Sequence, residues 1–249
     1  MKKLTIITVS LNSEDTIADT VKSVRDQTFS NYEHIVFDGG STDKTLAILE
    51  DLKHPKLQII NGRDRGIYDA MNQAWQFASG DIVQFLNSDD ILNDNNVLAV
   101  VSKAFEKEHV QILCTNIAYF RGALSNQIYR FWSVPKFDSE KVRRGWHPPH
   151  PGFFCTRHVF EALGGFDLRY KIVADFDFMV RACLHYKNNV CVANFTSVRM
   201  RAGGVSDASV LKTIQNNIDV CRSLKRNDVR VFAPVYIARR LLQKIWQKI

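Results

Sequence analysis

The sequence predicts an α/β fold with a Rossmann-like, mostly parallel sheet. Short apolar segments typical of buried strands alternate with segments of helical periodicity over the first ninety residues. The connections between them are short, which favours right-handed crossovers and helices on both faces of the sheet. The alternation weakens after residue 110. We therefore expect a domain over residues 1–205, with halves at about 1–110 and 111–205, followed by a helical extension over 206–249.

The first half holds four predicted strands and three predicted helices. The segment LTIITVS is predicted as the first strand, and Ile17, Val21 and Val24 follow it at helical spacing. Ser13 precedes them as a candidate helix cap. The other predicted strands of this half are 32–38, 57–60 and 81–86, and the other predicted helices are 44–51 and 67–78.

The second half is predicted to contain fewer regular elements. Segments 111–119 and 127–132 are expected to pair as a hairpin, and the prolines of WHPPHPG (146–152) predict an extended loop. A helix is predicted from Asp175 to about residue 186, and a short strand region follows it. The loop RAGGVS (201–206) then leads into further helices.

Composition limits the class of protein. The 249 residues, 45% of them hydrophobic, can bury a full core. The chain has no apolar run of the ~18 residues that span a membrane, and its start, MKKLTIITVS, lacks a cleavable signal pattern, so a cytoplasmic location is expected. Five scattered cysteines without a CxxC predict neither a disulfide framework nor a zinc site. A net charge of +7 indicates an anionic partner.

Polar stretches follow three of the predicted strands, at residues 10–12, 38–43 and 87–90. Because ligands of open α/β sheets bind beyond the carboxyl ends of the strands, we expect these stretches to build one cleft. The first strand runs into SLNSEDT, which contains no glycine. This disfavours a dinucleotide-binding loop, a P-loop and an α/β-hydrolase elbow, each of which needs glycines at fixed positions.

Residues 85–90 read FLNSDD, so two carboxylates, Asp89 and Asp90, stand where a predicted strand leaves the core. Carboxylates beside a nucleotide indicate a divalent cation, because Mg²⁺ and Mn²⁺ prefer oxygen ligands and bridge them to phosphates. The four polar residues of this stretch also suit a turn or a helix cap. Taken alone, the stretch leaves both interpretations open.

Six motif-like stretches follow one another along the chain. They are TVSLNSEDTI (8–17), VFDGGSTDKT (36–45), DRGIYDAMNQA (64–74), FLNSDD (85–90), HPGFFCTRHVFEALGGFD (150–167) and ADFDFMVR (174–181). In this order they resemble the family 2 glycosyltransferases of the GT-A fold, which are inverting enzymes that use nucleotide sugars. The resemblance covers about residues 4–200, and GIYDAMN and LNSDD are similar to bacterial transferases that assemble surface polysaccharides. It implies a nucleotide-sugar donor, with UDP-sugar favoured, and a divalent cation, Mn²⁺ or Mg²⁺.

The resemblance implies that the nucleotide lies at the ends of the first two strands. Asp38 would hydrogen-bond the base, with Ser10 and Asn12 lining the same pocket. Asp38 also has an ordinary interpretation, as a turn residue before Gly-Gly. The resemblance therefore adds a ligand to a position that the residues alone explain as a turn.

Four residues of the third matching stretch would lie near the donor. Asp64 and Arg65 would be close to it, although the two could instead form an exposed ion pair with each other. Asp69 and Asn72 would lie on the helix that faces the donor, with Asn72 as a cap-like surface residue in the alternative interpretation.

The metal motif of the family is usually Asp-x-Asp, and this chain has Asn87-Ser88-Asp89, with an amide in place of the first acid. Asn87 and Ser88 are then candidates for contact with the donor. Asp89 is the best candidate metal ligand. Asp90 is either a second ligand or an anchor for the loop.

Inversion at the sugar carbon requires a base that removes the proton of the acceptor hydroxyl. Asp175 matches the acid with this role in the family, and it could also cap its helix. Asp177 is assigned a dipole or structural role. His147 and His150 are candidates for contact with the acceptor or the diphosphate, and Arg201 with its GGVS loop for closure over the donor phosphates. These three also have ordinary interpretations as loop or turn residues.

An amphipathic helix is predicted at residues 231–249. Such a helix fits an anionic bilayer surface at the inner face of a membrane, or else it covers the protein's own core or a second subunit, as in a homodimer. Membrane docking is favoured because acceptors in such pathways are commonly lipid-linked. The apolar stripe is Val235, Ala238, Leu242, Ile245 and Ile249, flanked by Leu241 and Trp246, and the basic residues opposite include Arg239, Arg240, Lys244 and Lys248.

The sequence therefore predicts a metal-dependent, inverting glycosyltransferase that acts on a glycan or polyprenyl-diphosphate-linked acceptor. A nucleotidyltransferase of related fold would need a glycine-rich basic loop after the first strand, which is missing. A non-catalytic nucleotide- or carbohydrate-binding module is the other alternative, and the presence of Asp89 and Asp175 argues against it. No nucleic-acid partner is expected, because the chain has no recognisable motif for one.

Overall fold

The computed structural model describes residues 1–122, 127–201, 210–229 and 236. The strands are β1 (Leu4–Ser10), β2 (Tyr32–Asp38), β3 (Leu57–Asn61), β4 (Ile82–Phe85), β5 (Ile91–Leu92), β6 (Ile112–Phe120), β7 (Ile128–Trp132), β8 (Phe153–Thr156) and β9 (Val190–Arg201). The helices are α1 (Ile17–Arg25), α2 (Thr45–Asp51), α3 (Ile67–Trp75), α4 (Val97–Ala104), α5 (Ser139–Arg143), α6 (Arg157–Ala162), α7 (Ala174–His185) and α8 (Val210–Arg226), with a 3-10 turn at His150–Gly152.

These strands form one sheet in the order β3-β2-β1-β4-β8-β6-β9-β5, with β7 paired to β6. The first half is parallel throughout, since β1 pairs with both β2 and β4, and β2 pairs with β3. The second half mixes a parallel β6–β9 pair with antiparallel pairs, among them the β6–β7 hairpin. The structure confirms the α/β class and the predicted hairpin.

The position of β1 explains where a ligand can bind. All seven of its residues are buried, as expected for a strand with helices on both faces. The chain leaves β1 toward β2 and β3 on one side and returns to β4 on the other. A reversal of this kind opens a crevice at the carboxyl ends of the central strands, and that is where the predicted polar stretches lie.

The largest apolar cluster lies under α3, α6 and α7. Four phenylalanine rings pack there in tilted and edge-to-face pairs, with ring centroids 4.9–5.4 Å apart. They belong to Phe85, Phe160, Phe166 and Phe178. Aromatic pairs at this separation add to the stability that burial alone provides. The cluster places the loop after α6 and the start of α7 beside the end of β4.

The end of the described chain packs into the same cluster. Val220 and Leu224 of α8 are buried there, and so are Val229 and Tyr236. The Tyr236 hydroxyl donates to the carbonyl oxygen of Gly145 at 3.3 Å. Apart from Tyr236, the amphipathic segment predicted at 231–249 lies outside the described residues. Among those that are described, no helix is both long and apolar enough to cross a bilayer.

Three local predictions differ from the structure. Thr16, and not Ser13, is the N-cap of α1, because the Ser13 hydroxyl instead lies 2.9 Å from the hydroxyl of Ser88. Residues 150–152 form a 3-10 turn within the loop predicted as extended. The short strand predicted after α7 is the twelve-residue β9, because it pairs with β6 along one edge and with β5 along the other.

A polar network joins α7 to its neighbours. The buried Asp177 carboxylate accepts from Arg181 Nε at 2.8 Å, from Ser223 Oγ at 2.7 Å and from Asn227 Nδ2 at 3.2 Å. The other guanidinium nitrogens of Arg181 donate to the carbonyl oxygens of Leu163 and Gly165. The structural role assigned to Asp177 is therefore the attachment of α7 to α8.

Asp177→Ala is expected to lower the free energy of unfolding by about 3 kcal/mol. The substitution removes the carboxylate that pairs with the mostly buried guanidinium of Arg181. Glu140→Ala is the matched control, since the Arg143–Glu140 pair is exposed on both sides, and it should cost less than ~1 kcal/mol. Urea denaturation measures both. Equal losses in the two variants would show that the network adds no stability beyond a surface ion pair.

Candidate active site

The Asp38 carboxylate holds the ends of β1 and β2 together. It is fully buried, and it accepts from Ser10 Oγ at 3.0 Å, Ser41 Oγ at 2.6 Å, and the backbone amides of Ser41 and Gly40 at 2.7 and 3.1 Å. The parallel register sets Ser10 directly beside Asp38. The sequence placed these two residues in one pocket, and the structure brings them together.

Asn12 continues this edge into the loop after β1. Its backbone has a positive φ of 50°, a conformation in which asparagine is enriched. The Asn12 backbone amide donates to Ser41 Oγ at 2.8 Å, and its side-chain Oδ1 accepts from the Thr42 backbone amide at 2.9 Å. The loops after β1 and β2 are therefore bound to each other along the wall of the cleft.

Asp64 reaches the same place from the loop after β3. Its carboxylate accepts from the Gly66 amide at 2.8 Å and lies against Gly39, where a Cβ would collide with it. A residue larger than glycine at position 39 would push Asp64 away from the end of β1. The ion pair considered between Asp64 and Arg65 is not formed, because Arg65 pairs with Asp69 at 3.4 Å.

The first turn of α3 faces both halves of the cleft. The Asp69 carboxylate accepts from the Arg65 backbone amide at 2.9 Å, which leaves most of the Arg65 side chain exposed. Asn72 is not a surface cap. Its amide group donates to the Phe166 carbonyl oxygen at 2.8 Å and accepts from the Phe166 amide at 3.0 Å, so it holds α3 to the loop before α7.

The loop after β4 gives its two acids different environments. Asp90 is fully buried and accepts from Asn87 Nδ2 and from the Arg201 backbone amide, each at 3.1 Å. Thr20 fixes the same loop by donating to the carbonyl oxygens of Ser88 and Asp90. Among the described residues, the half-buried Asp89 carboxylate accepts a hydrogen bond only from its own backbone amide. Asp90 is thus the anchor, and Asp89 is the acid available to a ligand.

Acids at opposite ends of the sheet have opposite pKa shifts. Burial raises the pKa of Asp89, and burial together with the charge of Asp89 raises the pKa of Asp90 well above its usual range. At the other end, burial would raise the pKa of Glu33, but hydrogen bonds from Lys3, Thr5 and Ser79 outweigh it and lower that pKa to about 2. The cleft end is where negative charge is poorly compensated.

The residues after β4 fit a divalent cation that is completed by its substrate. Within the part of the chain that the structure describes, no three His, Cys, Asp or Glu side chains converge to hold a metal. Mg²⁺ needs no such cage, because it is commonly bound by one or two carboxylates together with substrate phosphates. Asp89 can provide that single protein ligand, beside a carboxylate that is already anchored.

Asp175 lies in the first turn of α7, after the N-cap Val173, so it is not the cap of its helix. Its Oδ1 accepts from the Phe176 amide at 2.8 Å and from the Tyr68 hydroxyl at 2.9 Å. Burial, followed by the charge of Asp175, raises the pKa of Tyr68 well above its usual range, so the phenol stays protonated at neutral pH. The hydroxyl also lies 2.6 Å from the Ile172 carbonyl oxygen.

The two candidate histidines flank Asp175. His150 packs between the rings of Phe85 and Phe166, and its Nε2 has no partner among the described residues. Burial lowers the pKa of His150, and the charge of Asp175 opposes that shift. His147 packs edge-on against Phe176, and its Nδ1 lies 2.9 Å from the Pro148 carbonyl oxygen. His150 thus contacts β4 through Phe85, and Asp175 acts on it through its charge.

Arg201 closes the far side of the Asp90 loop. Its guanidinium pairs with Asp19 at 3.0 Å, donates to the Gly122 carbonyl oxygen at 2.6 Å, and stacks over Phe120. The GGVS loop that was expected to close with it lies outside the described residues. The described contacts of Arg201 attach the end of β9 to α1 and β6.

Sequence reasoning missed three residues that shape the site, which are Tyr68, Thr20 and Asp19. Tyr68 directly precedes Asp69 in the motif GIYDAMN, so its position was visible although its role was not. Thr20 and Asp19 lie on α1 and look like ordinary helix residues. Only the fold brings α1 against the Asp90 loop and the end of β9.

Comparisons with known proteins agree with this geometry. Residues 5–163 match the family model described as Glycosyl transferase family 2. A PGL/p-HBAD biosynthesis glycosyltransferase of Mycobacterium tuberculosis is 30% identical over 214 residues, which cover 83% of this chain and 80% of that protein. The UDP-Glc:alpha-D-GlcNAc-diphosphoundecaprenol beta-1,3-glucosyltransferase WfgD of Escherichia coli is 31% identical over 120 residues, which cover 48% of this chain and 44% of that protein.

Solved structures show the same fold. S. aureus TarS in complex with UDP-GlcNAc superposes with a TM-score of 0.73 at 19% identity, over 94% of this chain and 69% of that one. The mannosyltransferase PcManGT of Pyrobaculum calidifontis, in complex with GDP-Man and Mn²⁺, superposes with a TM-score of 0.66 at 16% identity, over 96% and 69%. With its family model, its relatives and its GT-A fold in agreement, the chain belongs to the family 2 glycosyltransferases and is a nucleotide-sugar-dependent enzyme.

Proposed function

We propose that this enzyme transfers one sugar, with inversion, from a UDP-sugar to a hydroxyl of a polyprenyl-diphosphate-linked glycan during synthesis of a bacterial surface polysaccharide. The observation that carries the proposal is the pair of carboxylates on either side of the end of β4. Within the part of the chain that the structure describes, only its own backbone amide donates to the Asp89 carboxylate, whereas the Asp175 carboxylate accepts from a protonated tyrosine. Asp89 is suited to bind a divalent cation, and Asp175 is suited to accept a proton.

Two comparisons support the choice of donor and acceptor. The name of the E. coli relative gives UDP-Glc as its donor and a diphosphoundecaprenol-linked sugar as its acceptor. The TarS complex contains UDP-GlcNAc. We carry over the common chemistry, a UDP-sugar and a polyprenyl-diphosphate-linked glycan, and not a particular sugar.

The donor's nucleotide would occupy the wall formed by the loops after β1, β2 and β3. Asp38, Ser10 and Asn12 line the part nearest the base, and Asp64 with the exposed Arg65 lies toward the sugar and phosphates. Asp69 positions Arg65 through its backbone amide. In this arrangement Asp38 sets the shape of the base pocket, because its own oxygens already accept four hydrogen bonds.

A divalent cation held by Asp89 would neutralise the charge that develops on the diphosphate as it leaves. Asn87 and Ser88 lie beside it as contacts for the donor, and Asp90 keeps their loop in place. This assignment explains how the chain can lack the first acid of the usual motif. The amide at Asn87 binds the anchor carboxylate, a task that a second acid at that position would oppose.

Asp175 would accept the proton of the acceptor hydroxyl as that oxygen attacks the sugar carbon. Its Oδ1 is held by Tyr68 and the Phe176 amide, while no described residue donates to its Oδ2. His150 lies between Asp175 and the end of β4, where it can contact the acceptor. Its lowered pKa keeps it neutral there, so it does not neutralise the base.

The acceptor proposed here is attached to a membrane, so we also propose that the enzyme works at the inner face of one. The predicted amphipathic segment 231–249 is the attachment inferred from sequence. Its apolar stripe could alternatively cover the protein's own body or a second subunit. Tyr236 supports packing on the body at that one position, because it is buried against Gly145.

UDP is expected to raise the melting temperature clearly with Mn²⁺ or Mg²⁺ and only weakly in excess chelator, because the cation links Asp89 to the diphosphate. Asp89→Asn should lose the metal-dependent part of the shift. Asp51→Asn, an exposed acid on α2, is the control and should keep it. A thermal shift that is the same size with chelator would remove the metal from the mechanism.

Asp175→Asn is expected to leave UDP-sugar binding nearly intact while transfer falls by at least ~10²-fold, the usual cost of losing a general base. The amide preserves the shape of the side chain and its bond to the Phe176 amide. Transfer at saturating acceptor and donor binding by calorimetry are measured together, with Asp51→Asn as control. Near-normal transfer would make Asp175 structural and direct the search for a base elsewhere.

A further inference from the structure

The loop between α6 and α7 carries an exposed apolar pair in a basic setting. Leu168 is 43% exposed and Ile172 is 39% exposed. Arg169 and Lys171 alternate with them and are also exposed. Four of the five residues from 168 to 172 thus expose either an aliphatic side chain or a cation to solvent. The fifth, Tyr170, is buried in the core and attaches the loop to it.

The neighbouring face of α8 extends this basic setting. Two adjoining cavities of about 500 and 370 Å³ lie between the loop and α8, and Arg169 and Arg226 line both of them. Arg222 and Lys225 line the second and are exposed, while Ser223 and Leu224 between them are buried. The cations of α8 are therefore exposed beside the loop, and Arg226 lines the same cavity as Leu168.

Part of this charge is available to a partner. Asp167 pairs with Arg169, and Asp219 pairs with Arg222 at 3.0 Å. No ion pair joins Lys225, Arg226 or Lys171 to any described residue. We call the seven residues Leu168, Arg169, Lys171, Ile172, Arg222, Lys225 and Arg226 the loop–α8 surface.

The loop–α8 surface is attached directly to the proposed base. The Ile172 carbonyl oxygen lies 2.6 Å from the Tyr68 hydroxyl, which is 2.9 Å from Asp175 Oδ1. At the other side, Ser223 of α8 donates to Asp177 in the first turns of the same α7. Whatever binds this surface is thereby held at a fixed position relative to the cleft.

The loop–α8 surface combines exposed aliphatic side chains with cations, and this combination favours one kind of binding partner. A nucleic acid or a soluble phosphorylated glycan would use the cations but gain little from exposed aliphatic side chains. An anionic bilayer uses both, because its headgroups attract the cations and its interface accepts the leucine and isoleucine. We propose that the loop–α8 surface docks on an anionic bilayer and holds the Asp175 side of the cleft against it. The proposal rests on the lipid-linked acceptor of the proposed function, and it adds a second contact to the segment 231–249.

The experiment is co-sedimentation of the full chain with phosphatidylglycerol-containing vesicles and with neutral phosphatidylcholine vesicles. Arg222→Gln/Lys225→Gln/Arg226→Gln should reduce partitioning onto anionic vesicles roughly 10²-fold, since each basic residue near such a surface contributes about fivefold. Leu168→Asn should still bind at low salt but lose the fraction that stays bound at about 0.5 M salt, where charges are screened. The matched control is Val100→Asn/Lys103→Gln/Lys107→Gln, which changes one exposed apolar residue and two exposed cations around α4.

Losses confined to the two loop–α8 variants, with the control binding like the unaltered protein, support the proposal. Binding of all variants like the unaltered protein would overturn it and leave the segment 231–249 as the anchor. Loss in the cation variant alone, with no effect of Leu168→Asn at either salt concentration, would also overturn it in favour of a soluble polyanion. The same variants should hydrolyse donor at the unaltered rate, so a failure of the proposed chemistry and a failure of docking give separate signals.

Discussion

The site depends on the buried carboxylate of Asp90. It receives hydrogen bonds from the Asn87 side chain and from the Arg201 backbone amide, and so it ties the end of β4 to the end of β9. The β5–β9 ladder begins at the next residue, Ile91, so Asp90 reinforces the attachment of the loop after β4 to β9. Because Asp90 fixes the backbone of the loop, the neighbouring Asp89 carboxylate is held without a hydrogen bond from any other described residue.

This division of labour has an electrostatic consequence. Glu33, at the opposite end of the sheet, is surrounded by donors and has its pKa lowered to about 2. Asp89 and Asp90 are taken out of water with fewer donors, and their pKa values rise. Glu33 is compensated by the fold itself, whereas Asp89 and Asp90 are poorly compensated, although Asp90 also holds its loop in place. The two ends of the sheet thus differ in the pKa values of their carboxylates as well as in their topology.

The sequence predicted what depends on periodicity and on strand ends. The strand β1, the β6–β7 hairpin and the position of residues 10–12 and 38–43 at neighbouring strand ends follow from the alternation of strand and helix segments. The common pocket of Ser10 and Asp38 came from the family resemblance. The sequence left the role of Asp90 open between a second ligand and a loop anchor, because nothing local shows that Asp90 is buried under the amide of Arg201. Tyr68 and Thr20 were missed for a related reason. Their partners lie 107 and 68 residues away along the chain, so no local pattern identifies them.

The start of α3 accounts for how the two halves of the cleft keep their spacing. Consecutive residues there face different halves, since Tyr68 binds the Asp175 side chain and Asp69 binds the Arg65 backbone amide. One turn further on, Asn72 bonds both backbone groups of Phe166, and the positive φ of 69° at Gly165 lets the loop approach closely enough for that bond. The separation between the donor wall and the proposed base is therefore set by one rigid helix. A displacement of α3 would therefore act on Asp175 through Tyr68 and on Arg65 through Asp69 at the same time.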